Sequence, residues 1–96
     1  MMSAQDREFD SLIEAWNKAR GAGQNAEEGV RRLVASNIER YRPLLALSQK
    51  PSNWGELATS DGFPMSWIDF QHLVIKPHVE RLEVLLSRID AGLPYP

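Results

Sequence analysis

Ser66-Trp67-Ile68-Asp69-Phe70-Gln71-His72-Leu73-Val74-Ile75, continuing through Lys76-Pro77-His78-Val79-Glu80-Arg81-Leu82-Glu83-Val84-Leu85-Leu86-Ser87-Arg88-Ile89-Asp90-Ala91, decides the fold. Apolar residues recur there at helical spacing. One row holds Phe70, Val74, Leu82, Leu85 and Ile89, and a second holds Ile68, Ile75, Val79 and Leu86. This spacing predicts a helix, and the width of the apolar arc predicts one packed on more than one side. Ser66 with Asp69 supplies a capping start, and Gly92 followed by Pro94 supplies a stop. Pro77 divides or kinks the helix, because proline gives no N–H to the ladder. The expected span is residues 67–91. Such a helix is either the centre of the fold or keeps one face for a partner, including a second copy in a homodimer through this last helix.

Upstream, the same periodicity predicts two more long helices. Phe9, Leu12, Ile13 and Trp16 form one face of a helix over residues 4–20, capped by Ser3 with Asp6 and ended by Gly21 and Gly23. Asn25 with Glu28 reads as a capping box for a helix over residues 26–48, with Val30, Leu33, Val34, Ile38, Tyr41 and Leu45 on one stripe. Pro43 interrupts that ladder, but the stripe keeps its phase, which favours a kinked continuous helix. Asn53 and Glu56 frame a short helix over residues 54–60. The reading is therefore all-α: one domain over residues 1–96, a small three- to four-helix bundle whose long helices are proline-kinked or proline-broken. Leu93-Pro94-Tyr95-Pro96 reads either as a free tail or as a segment that docks or extends toward a partner, the free tail being narrowly preferred.

Composition agrees with a single domain. The chain has 96 residues, 43% of them hydrophobic, with 13 acids against 11 bases and no cysteine. Disulfides and thiolate metal sites are thereby excluded. The N-terminus lacks a basic start followed by an apolar run, and no apolar stretch approaches the roughly 20 residues of a membrane span. A cytoplasmic location is the expectation.

Chemistry is hard to assemble from these residues. His72 and His78 stand six apart, on different sides of an ideal helix, and no H-x-x-x-H pair is present. Both histidines read as surface or boundary residues, and no metal or cofactor is expected. Ser60, Asp61 and His72 form a triad only on paper. The Glu80 and Glu83 carboxylates lack the pocket that acid–base work requires. Gly21-Ala22-Gly23 lacks the Gly-Lys-Ser/Thr of a phosphate loop. The expectation is a protein that is not an enzyme.

Binding features are richer. Arg31, Arg32, Arg40 and Arg42, with Lys50, suggest a basic ridge for an acidic protein surface or for phosphates. Trp54, Phe63, Met65 and Trp67 suggest an aromatic anchor cluster, because interface energy concentrates in Trp, Tyr and Arg and methionine adapts to partner surfaces. Together these residues predict a protein–protein interaction module such as a small inhibitor, adaptor or assembly subunit, its partner another protein. A second reading rests on Leu57-Ala58, Gly62-Phe63 and Ile68, whose spacing resembles a helix-turn-helix. That resemblance implies a DNA-binding regulator using residues 54–73, with Gln71 reading an adenine edge. Its reading helix would carry Asp69 and no cation before Lys76, so protein binding is the preferred reading.

Overall fold

Helix α1 (Ala4–Ala19) begins as the sequence predicts: the Ser3 hydroxyl accepts the Asp6 N–H at 3.0 Å and the Asp6 carboxylate accepts the Ser3 N–H at 3.2 Å. Two of the donors left free at a helix start are thereby satisfied. Its inner face buries Phe9, Leu12, Trp16 and Ala19. The computed structural model describes residues 3–52 and 66–95, so the short helix expected over residues 54–60 lies outside the described residues.

Gly21 and Gly23, at φ +80 and +119, turn the chain into α2 (Gln24–Tyr41). The helix starts two residues before the predicted Ala26. Gly23 is its N-cap and contributes no side-chain bond. The carboxylate that reaches back belongs to Glu27 rather than Glu28, and it accepts the Gly21 N–H at 3.1 Å. A glycine in a backbone region closed to other residues replaces the side-chain cap.

Beyond Tyr41 the α-helix does not continue to residue 48. The chain tightens into a 3-10 segment, Arg42–Ala46, with Pro43 in its first turn. Pro43 supplies no N–H to the carbonyl four residues back, and the tighter turn lets the chain proceed without that bond. The change of pitch also shifts the apolar phase. Leu44 becomes half-buried and Leu45 is exposed, so the expected stripe ends at Tyr41.

The predicted long C-terminal helix is present as a rod in three parts: a single α turn, α3 (Trp67–Phe70), a π-helical turn (Gln71–Ile75), and α4 (Lys76–Asp90). Ser66 caps it, its hydroxyl accepting the Asp69 N–H at 3.1 Å. The Lys76 N–H bonds to the Gln71 carbonyl, five residues back. Pro77 follows directly, and its ring and missing N–H would both disturb an ordinary α turn at the Leu73 carbonyl. The wider turn immediately precedes the residue that cannot complete the narrow one.

Packing makes this rod the centre of the molecule. Leu82, Leu85 and Ile89 join Phe9, Leu12, Trp16, Val30, Val34 and Ile38 in one core cluster. Trp67, Phe70, Ile75 and Val79 join Tyr41 in a second. Full burial of one such side chain stabilises by about 1.5–3 kcal/mol, so the two clusters carry most of the folding energy. The apolar arc of α4 is spent on α1 and α2, leaving Val84 as its large exposed apolar residue, at 51%. The large apolar residues that the rod leaves exposed are therefore Val84 and, nearer its start, Ile68 and Leu73. The C-terminal residues also dock rather than trail free. The Trp16 indole N–H donates to the Leu93 carbonyl at 2.8 Å, and the Tyr95 ring meets Phe9 edge-on at 5.3 Å.

Candidate partner-binding surface

The π turn changes which residues the rod shows to its surroundings. Stepping back from Ile75 in uninterrupted α geometry leads to Gln71 and then Ile68 on the inner face. The wider turn moves the phase by one residue. Trp67 and Phe70 now point inward, and Ile68 points out. The outer stripe of the rod becomes Ile68, Asp69, His72, Leu73, Lys76, Pro77 and Glu80, all exposed. Ile68 is 62% exposed and Leu73 65%, more than any other large apolar residue among those described. Ile68 was expected in the apolar arc, and the π turn is the reason it is not there.

Of the four aromatic and methionine anchors, Trp54, Phe63 and Met65 lie outside the described residues. Trp67 turns its ring inward. It is buried, stacked on Phe70 at 6.2 Å, and its indole N–H donates to the Leu47 carbonyl at 3.1 Å. Gln71 is likewise turned inward. Its amide donates to the Leu44 and Leu47 carbonyls at 2.8 and 2.7 Å, tying the 3-10 segment to the rod. The side chain on which adenine-edge reading rested is thereby engaged in packing.

Each arginine of the expected basic ridge meets an acid of the same chain. Arg31 contacts Asp90 at 2.7 Å and Arg42 contacts Glu83 at 2.9 Å, two bridges from the α2 side of the fold to α4. The Asp90 carboxylate, by hydrogen bond and by charge, holds the Arg31 guanidinium above its ordinary pKa. Arg32 faces Glu28 at 3.5 Å, one turn back on α2. Arg40 lies 3.9 Å from Glu8 and 5.3 Å over the Tyr41 ring. These pairs are solvated and individually contribute little stability, but they leave an ionic surface of mixed sign in place of a positive ridge. An open groove of about 450 Å³ runs between α2 and α4, with Ala35, Ile38 and Leu86 along its floor and Glu39, Arg42, Glu83, Ser87 and Asp90 around it.

One cluster was missed altogether. His72 is exposed as expected, but His78 has no accessible surface. Its Nε2 lies 3.2 Å from Glu8 Oε1, and its Nδ1 lies 3.2 Å from an Arg81 guanidinium nitrogen. Arg81 also donates to Asp6 at 2.9 Å and lies 4.8 Å over the Phe9 ring. Tyr41 places its ring edge-on to His78 at 4.8 Å, and its hydroxyl is shared between Glu8 at 3.4 Å and the Gln5 amide at 3.5 Å. Burial pushes the Tyr41 phenol above its ordinary value despite the Gln5 bond, which acts to lower it. Burial also acts to raise the Asp6 carboxyl, but the Arg81 and Ser3 bonds outweigh it and hold the group below its ordinary value. The signal was present locally: His78 stands between Ile75 and Leu82 on the buried stripe, with Arg81 one turn on. The imidazole itself has no exposed surface, while the Glu8, Arg81 and Asp6 side chains are partly open to solvent. Among the described residues no group of acids and histidines is arranged to hold a metal ion, and no helix is long and apolar enough to cross a membrane.

No family model, curated protein or solved structure matches this chain.

Proposed function

We propose that the chain is a protein-binding module that docks through the outer stripe of its C-terminal rod. Ile68 and Leu73 are the apolar centre of that stripe. Asp69, Lys76 and Glu80 form its polar border, and Trp54, Phe63 and Met65 of the preceding segment are further anchors. The observation that supports this reading is the exposure of Ile68 and Leu73, about two-thirds each, on one face of a rod whose other large apolar residues, Val84 apart, are packed. Transfer of such a pair into an interface is worth about 1–2 kcal/mol per side chain. The polar border suits the rim of an interface, where charges set register and partner choice. Inhibition, adaptation or assembly are the modes such a surface serves.

The test replaces Ile68 and Leu73 by Asp, singly and together, and Trp54 by Ala. The wild-type chain is expected to retain a partner from its native host that the Asp variants lose, while their melting temperatures stay close to wild type. Undiminished capture by the folded double variant would refute the surface. Sedimentation of the wild-type chain over a concentration range tells a foreign partner from a second copy.

A further inference from the structure

The buried imidazole of His78 sits where the two core clusters meet, and its surroundings dictate which nitrogen carries the proton. A guanidinium can only donate hydrogen bonds, so Nδ1, which faces Arg81, must be the accepting nitrogen. The ring proton then lies on Nε2, directed at the Glu8 carboxylate. In this neutral tautomer both nitrogens are satisfied, as a fully buried side chain requires. A second proton has one place to go, Nδ1, where it would meet an N–H of Arg81 instead of a lone pair. Two donors and two positive charges would then stand 3.2 Å apart with no water between them.

We infer that His78 and Arg81 form a proton-operated latch: the neutral imidazole holds the Arg81 guanidinium, and the imidazolium releases it. This inference is independent of the docking surface. Three helical elements bear on the latch. From α1 come Glu8, which accepts from Nε2, and Asp6, which holds the other side of Arg81. From α2 come Tyr41, edge-on to the ring, and Arg40, which shares Glu8. From α4 itself comes Arg81. Its Nε–H is buried without a partner, so among the described residues its hydrogen-bond anchors are Asp6 and His78. Loss of the imidazole anchor frees Arg81 to leave with Asp6, and Asp6 is half of the box that starts α1. Protonation at the junction therefore loosens the attachment of the first turn of α1 to α4. Glu8 keeps its bond to Nε2 throughout, which leaves Arg81 as the group that moves.

The experiment follows the imidazole ¹⁵N signals and the melting temperature of the full chain together, from about pH 8 to pH 5, the range over which histidines switch. At the high end the His78 ring should be the Nε2–H tautomer. As it gains its second proton, the amide signals of Ser3, Asp6 and Arg7 should shift in the same transition, and the melting temperature should fall by about 4 °C or more. In His78→Gln the carbonyl oxygen can accept from Arg81 and the amide can donate to Glu8, so both bonds survive and the fall should vanish. Should that variant not fold, Arg81→Met removes the cation facing Nδ1 and should likewise flatten the melting profile over the interval. His72 is exposed on the outer stripe, and His72→Asn should leave the fall intact. An Nδ1–H tautomer at the high end, an imidazole that stays neutral throughout, or protonation without change in melting temperature overturns the latch.

Discussion

Replacing Gln71 by Leu tests whether this side chain is a fastener of the fold. Its amide makes two short bonds, to the Leu44 and Leu47 carbonyls at 2.8 and 2.7 Å. Each neutral bond contributes about 0.5–1.5 kcal/mol net, and a buried carbonyl left bare would add about 1–3 kcal/mol more. Neither carbonyl is left bare here. Leu47 keeps the Trp67 indole at 3.1 Å, and Leu44 keeps the Leu47 N–H at 3.4 Å. Leucine also fills much of the volume that Gln71 vacates, so no large cavity term enters. The expected loss is therefore the two bonds alone, about 1–3 kcal/mol, or a melting temperature lower by about 4 °C or more. Urea denaturation measures this, with the m-value expected to stay unchanged. Gln71→Glu should cost more than Gln71→Leu, because a carboxylate aimed at two carbonyls repels both. A change below about 0.5 kcal/mol in Gln71→Leu, the range of an ordinary surface position, would refute the assigned role and return Gln71 to the list of recognition residues.

Two further predictions concern pH. Asp6 has its carboxyl held below 3.8, so the stability it contributes is present above that value and is lost as pH falls through the lower, folded one. Asp6→Asn should melt below wild type at neutral pH and converge with it in strong acid, as thermal melts over an acid series would measure. Tyr41 has its phenol held above 10.0, so its contribution is complete below that pH and is lost as pH rises through the folded value. Tyr41→Phe should be flatter than wild type on the alkaline limb of the same melting profile.

The helices were legible because each carries its own period. Phe9, Leu12 and Trp16, and Val30, Val34 and Ile38, sit where stepping by threes and fours places them, and all are buried. The cap formed by Ser3 and Asp6 was legible because both partners are local. Reading failed where a local rule was overridden. Gly23 started α2 through backbone freedom that a side-chain capping rule does not see. Leu33 belongs to the apolar stripe by spacing, yet it falls at the edge of the buried row and is 54% exposed. At Pro43 and Pro77 the missing N–H was recognised, but the change of pitch that each accompanies was not, and pitch decides whether Leu45 or Leu44, and Ile68 or Trp67, faces inward. His78 stands on the buried stripe by its spacing from Ile75 and Leu82, but its partner was not legible. Its acceptor Glu8 is 70 residues away, and nothing near His78 in sequence announces a carboxylate on α1. The candidate site shared this fate. Trp67 and the arginines were recognised as residue types suited to interfaces, but their intramolecular partners lie on other elements.

The π turn gives the chain an unusual sensitivity to length. Taking one residue out of 71–75 would let the rod relax to ordinary helical winding, and everything N-terminal to the cut would swing by roughly 100°. Ile68 would then rotate toward the interior and Trp67 toward solvent, although neither had been altered. Losing or gaining a single codon there would exchange one exposed face of the rod for another, while the packing of α4 on α1 and α2 stayed as it is.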